Sequence, residues 1–196
     1  RVHLAGLDAS GNAVLYNQNG NGRPGEYFDP FDVEGSSPAD RRFTDPRFGS
    51  AGPGLHAFNR ERLGWLPLER VRTLARVPGV AIEVPLAALD RPEVTGFLSL
   101  RLTTEAGREW LVELREPRVW DAGFERMAVY VRELTAPPWK PSENDRNRWV
   151  TTLRTAGTPR GDGQLYEGES LTLEGGVVVR VRDLASGDGQ ALVVVE

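Results

Sequence analysis

The amino-acid sequence predicts an α+β chain that is mainly β: a loop-rich segment with one helix, followed by an antiparallel β-sandwich. Three observations predict it. Eight short β-type segments separated by glycine turns occupy the chain from about Val77 onward. No helix-length crossover lies between them, which favours antiparallel pairing over a parallel sheet. The residues before them are instead rich in Gly, Asn, Asp and Pro, with little apolar periodicity. That change of texture places a boundary near residue 75, giving units 1–75 and 76–196.

The elements follow in chain order. GNAVLYNQNGNGRPGEYFDPFD (11–32) and SSPADRRFTDPRFGSAGPG (36–54) carry turn residues throughout. Loops of that length in a compact domain are usually functional or wrapped around something. GLHAFNRERLGWL (54–66) reads as a helix with Leu55, Phe58, Leu63 and Leu66 near one face, Pro53 at its first turn and Pro67 ending it. The expected strands are 80–86, 97–102, 109–115, 126–134, 149–154, 170–174, 177–184 and 191–196, with EAG, GDG, EGG and SGDG among the turns between them. TAPPWKPSENDRNR (135–148) is a polar insertion suited to a sandwich-edge loop.

Composition narrows the function classes. A net charge of −4 and a pI near 5.4 argue against a nucleic-acid partner, which calls for a basic face. The absence of cysteine removes disulfides, thiolate metal sites and cysteine nucleophiles. No apolar run approaches the roughly 20 residues of a membrane-spanning helix, and no signal peptide is visible. The oligomeric state is not encoded in any recognisable pattern.

Few residues can carry chemistry. The two histidines are His3 and His56. His56 has Ser50 and Asp45 upstream, but no G-x-S-x-G elbow accompanies them, so a helix-start residue, half exposed and bonded to local backbone, is the expected role. Asp29, Asp32 and Glu34 form an acidic group, and aspartates in such loops usually serve turns. Asn17, Asn19 and Asn21 before Gly22 resemble a calcium loop without its acids, and Phe28 stands where the bidentate glutamate belongs. Of five tryptophans, Trp65 and Trp110 sit in apolar patterns and are expected in the core. Trp120, Trp139 and Trp149 lie in or beside loops and form the expected binding surface.

Two motifs carry a resemblance. EYFDPFDVEGSS (26–37), a glycine-rich gap and HAFNRERLGWLP (56–67) resemble the region that follows the active-site helix in gametolysin-like and immune-inhibitor-A-like zinc metalloproteases, a metzincin-like family. Tyr27, Asp29, Pro30, Phe31, Asp32, Val33 and Gly35 match the family's turn. His56, Phe58, Asn59, Leu63, Gly64, Trp65 and Leu66 match its asparagine-bearing helix. HLAGLDASG (3–11) is similar to the stretch beginning at the third zinc histidine, which aligns His3 with that ligand. The resemblance implies that residues 1–75 are the C-terminal part of a metzincin-like protease domain, and that the protein is secreted or extracellular.

The departures decide the expected activity. The chain holds no H-E-x-x-H, so two zinc ligands and the glutamate base are missing, whereas zinc catalysis needs about three protein ligands and an activated water. In the turn Asp32-Val33-Glu34-Gly35, Glu34 stands where the family has an apolar methionine. The expectation is a chain that by itself neither hydrolyses peptides nor holds zinc, with His3 a ligand only if an upstream segment supplies the rest. Two alternatives stand beside it: a β-sandwich module recognising a peptide, protein or glycan, and one part of a secreted zinc endopeptidase completed by a segment upstream of Arg1.

Overall fold

Apolar side chains at every second position build the body of the molecule, and the turn glycines fold it. The computed structural model describes residues 6–7, 13–14, 31–33, 41–75, 80–105, 107–135, 150–153 and 157–196. The first strands pair as two-stranded ribbons: β1 (Gly6–Leu7) with β2 (Ala13–Val14), and β3 (Phe43–Asp45) with β4 (Gly49–Ala51). Helix α1 (Ala57–Arg62) follows, then β5 (Val71–Ala75), β6 (Ile82–Ala87), β7 (Ser99–Thr103) and β8 (Glu109–Arg115). The chain continues through β9 (Ala128–Thr135), β10 (Val150–Leu153), β11 (Gln164–Leu165), β12 (Ser170–Thr172), β13 (Val178–Ala185) and β14 (Gln190–Val195). The fold is mainly β. Every strand expected from the sequence has its counterpart, while β5, β11 and the β1–β2 and β3–β4 ribbons were not foreseen.

Two sheets face each other. One is six-stranded in the order β10-β9-β8-β7-β5, with β11 also on β9; the other runs β12-β13-β14-β6. Among the described strands all pairings are antiparallel except β5 with β7. The exception has a topological cause. The chain leaves β5, crosses to the other sheet as β6, and returns to lie beside β5 in the same direction. Because β5 ends at Ala75, the segment before the expected boundary supplies an edge strand to the larger sheet. In β13 the alternation breaks at Arg182, where a bulge falls between Val181 and Asp183 and turns the remainder of the strand.

The core lies between the sheets, where Leu86, Leu100, Val112, Val129, Val181 and Val193 are buried, each adding about 1.5–3 kcal/mol. On β8, Trp110, Val112 and Leu114 point into this layer, and the pleat sends Leu111, Glu113 and Arg115 to the opposite face. That face is covered too. Leu111 and Leu134 pack under Ala57, Phe58 and Leu66, and Tyr130 packs under Phe31 and Phe124. The molecule therefore has a third layer, made of turn 31–33, loop 52–56 and α1.

The helix is shorter than the expected 54–66. His56 is extended (ψ 166°) and acts as N-cap; Leu63 caps the other end, and Gly64 turns the chain with φ +72°. This truncation corrects one expectation: Trp65 leaves the helical face and is 67 % exposed, while Leu66 enters the core in its place. Trp110 is buried as expected. Among the described residues no helix is long and apolar enough to cross a membrane.

Candidate functional site

The site grows out of one buried cation. Arg115, at the end of β8 on the outer face of its sheet, is fully buried and reaches three separate segments. Its Nε and Nη2 donate to Asp121 Oδ2 and Oδ1, each at 2.6 Å. Nη1 donates to the Phe31 carbonyl and Nη2 to the Gly54 carbonyl, both at 2.9 Å. A longer contact of 3.3 Å joins Nη1 to Glu113 Oε1. The planar fork of a guanidinium suits this task, since it holds a bidentate carboxylate and two carbonyls at fixed angles. Burial opposes the charge of Arg115, but Asp121 and Glu113 outweigh it and hold the group well above its ordinary range.

Around this anchor each segment is fixed again locally. In turn 31–33, Phe31 packs edge-on against Phe124, with ring centroids 5.2 Å apart, and Asp32 is fully buried. Asp32 Oδ2 accepts the backbone N–H of His56 at 2.7 Å and lies 3.4 Å from His56 Nε2. His56 Nδ1 accepts the N–H of Asn59 at 3.3 Å, and Nε2, beside Asp32, also lies 3.3 Å from the Asn59 side-chain nitrogen. Glu113 Oε2 accepts the N–H of Ala57 at 2.6 Å. Two carboxylates and an imidazole thus cap the start of α1, where free N–H groups favour acceptors and negative charge.

These facts correct two sequence expectations. His56 is a helix-start residue, but it is buried rather than half exposed, because Asp32 and the third layer close over it. Asp32 ties its turn to a loop 24 residues away as well as sitting within its own turn. A histidine with both nitrogens engaged and one carboxylate beside it does not fit a zinc centre. Among the described residues no group of three or more His, Asp or Glu side chains could hold a metal ion. His3, Glu34, Gly35, Trp139 and Trp149 lie outside the described residues.

Where the three anchored segments meet, they enclose a cleft of about 400 Å³, lined by Val33, loop 52–55, Arg60, Trp65 and Trp120. Trp120, one of the three tryptophans singled out in the sequence, lies here and is 44 % exposed. It stands in a single 3₁₀ turn, Val119–Asp121, whose last residue is the carboxylate that grips Arg115. Val119 has φ +49°, a left-handed conformation that a β-branched residue adopts only under constraint, and strain of this kind concentrates at functional sites. Gly52 allows the close approach of the opposite wall: a Cβ there, at φ +70°, would lie 2.4 Å from the Trp120 carbonyl oxygen. Phe48 extends the apolar rim, its ring centroid 5.8 Å from that of Trp120.

The sequence pointed to Trp120 but missed Trp65, Val33 and loop 52–55 as lining. The shared signal was available only in part, as glycines flanking Pro53 and a Gly before Trp65. No protein-family model matches the chain, and no curated protein or solved structure shows significant similarity to it.

Proposed function

We propose that this chain is a metallopeptidase-related scaffold acting as a binding module, which takes an apolar side chain of an extended peptide into the cleft at Trp65 and Trp120 without cleaving it. The observation that supports this reading is the anchoring of three cleft walls to one buried guanidinium: the concave apolar surface is formed before any ligand arrives, which lowers the ordering cost of binding. A glycan is disfavoured by the chemistry of the wall. Sugar recognition requires several polar partners beside the aromatic faces, and the side chains lining the cleft offer one charged group, Arg60, which is already bound to Asp90 and to the carbonyls of Leu55 and Leu89. The absence of H-E-x-x-H supports a role without hydrolysis or resident zinc, and the resemblance to secreted proteases supports an extracellular setting.

The test is calorimetric titration with a blocked pentapeptide, acetyl-Gly-Gly-Phe-Gly-Gly-amide, and mass spectrometry of the peptide afterwards. Saturable binding with a dissociation constant on the order of 100 µM is expected, abolished by Trp120→Ala, with the peptide intact. Absence of binding, or binding unchanged in Trp120→Ala, refutes the reading. A second reading, a zinc endopeptidase completed by an upstream segment, is favoured by the place of Val33. It belongs to the turn that resembles the family's zinc-flooring turn, and it borders the cleft. Stoichiometric zinc and peptidase activity in protein expressed from its whole natural reading frame would establish that alternative.

A further inference from the structure

Resting on the peptide-binding reading, we infer that the Arg60–Asp90 ion pair makes the cleft selective for an uncharged, apolar side chain by holding its back wall electrically neutral. Arg60 stands on the cleft wall, and its Nη2 donates to Asp90 Oδ1 at 2.5 Å. Nε and Nη1 donate to the carbonyls of Leu55 and Leu89 at 2.8 and 3.0 Å, so the guanidinium is held in place from three directions. Gly54 brings the cleft against this pair. A Cβ at Gly54 would lie 3.1 Å from Arg60 Nη2, 3.1 Å from Trp120 Cβ and 3.2 Å from Asp121 Oδ1.

Each class of ligand side chain meets a different balance there. A lysine or arginine entering the cleft finds Asp90 already paired with Arg60, so its charge is desolvated with no carboxylate to receive it. A glutamate finds that guanidinium already neutralised by Asp90. Asp90 in turn is 95 % buried in its side chain, and burial followed by the repulsion of Asp121 raises its pKa, so another negative charge beside it is disfavoured. An aromatic ring brings no charge to desolvate and meets the indoles of Trp65 and Trp120, with Val33 and Pro53 at their sides. Arg47, whose guanidinium lies over the ring of Phe48 on the rim, leaves this balance intact because it is exposed and screened by water. Specificity here is rejection of both charge signs as much as attraction of a ring.

The experiment compares blocked Gly-Gly-Xaa-Gly-Gly peptides with Phe, Lys and Glu at Xaa on the wild type and on Asp90→Asn. The asparagine keeps an oxygen for Arg60 Nη2 but leaves the wall with one unbalanced positive charge. Wild type should bind the Phe peptide about tenfold more tightly than the Lys or Glu peptide. Asp90→Asn should raise the affinity for Glu relative to Phe about tenfold while Lys stays weak. Ratios between peptides on one sample are insensitive to the folded fraction, so partial unfolding of the variant does not mimic the result. If Lys or Glu binds wild type as tightly as Phe, or if Asp90→Asn leaves the Glu-to-Phe ratio unchanged, the charge-neutral wall is refuted while peptide binding stands. If no peptide binds at all, the underlying reading falls with it.

Discussion

Replacing Arg115 by methionine should be among the most damaging single changes in the protein. Methionine approximates the length of the side chain, so the loss is mainly of charge and hydrogen bonds. The variant leaves the Asp121 carboxylate, 1 % exposed, held by the Gly54 N–H at 2.9 Å but without its bidentate cation. It also removes donors from the carbonyls of Phe31 and Gly54. Stranding one partner of a buried ion pair costs about 3–5 kcal/mol, and each newly unsatisfied buried acceptor about 1–3 kcal/mol if no water replaces the donor. Water reaching the loosened turns offsets part of this, so about 4–5 kcal/mol is expected. That is a large share of the roughly 5–15 kcal/mol that holds a domain together. Urea unfolding followed by far-UV circular dichroism measures it, through the midpoint at constant slope. Adding Asp121→Asn to the variant removes the stranded charge and should recover about 2 kcal/mol, whereas Asp121→Asn alone should destabilise. Arg115→Lys should fall between, since an ammonium cannot serve the bidentate carboxylate and both carbonyls together. A loss below about 1 kcal/mol for Arg115→Met, or strict additivity of the two changes, would refute the claim that this guanidinium anchors the third layer.

Three further outcomes follow from the same geometry. Val119→Asn should stabilise the protein by about 0.5–1 kcal/mol, because asparagine tolerates the left-handed conformation and the exposed valine gives up little packing; a lower melting temperature would contradict the strain. Gly52→Ala should destabilise by at least about 1–2 kcal/mol and weaken ligand binding through displacement of Trp120, and an unchanged melting temperature would show that the two walls are not in contact. The Glu169 carboxyl is held below its ordinary value of 4.5, chiefly by its hydrogen bonds from Arg160. Its contribution to stability is therefore complete above pH 4.5 and lost as the pH falls through the lower folded value. Glu169→Gln should remove that part of the acid sensitivity in melting temperatures measured from pH 3 to pH 7, and an unchanged pH profile would dissociate the pair from stability.

What the sequence revealed and what it concealed have different physical origins. The β-sandwich strands were legible because period-2 alternation is local: E-W-L-V-E-L-R names its two faces without help from the rest of the chain. The same run hid its function. Glu113 and Arg115 look like the solvent side of a half-buried strand, yet both are fully buried, because the cover comes from turn 31–33 and loop 52–56, distant in sequence. β5 was concealed for a similar reason. Its buried residue Leu74 is flanked by Arg72, Thr73 and Ala75, and only its parallel partner β7 makes it a strand. At the site, Trp120 announced itself by its loop context, whereas Trp65 was assigned to the core because the helix was extended past Gly64.

The use of ions rather than apolar contacts under the cleft has a structural logic. Burying an ion pair is poor as a source of net stability, and hydrophobic contact is non-directional. The segments that meet at the cleft contain almost no regular structure, so apolar packing alone would leave their backbones free to slide. Hydrogen bonds from Arg115 to the carbonyls of Phe31 and Gly54, and from Gly54 to Asp121, fix those backbones at the atoms that set the cleft's width. Asp32 extends the same logic to the next loop by gripping the His56 N–H. In the turn that resembles a zinc-site floor, the aspartate is therefore engaged in holding the third layer to itself, and the side chain it presents to the cleft is Val33, an apolar surface suited to another side chain.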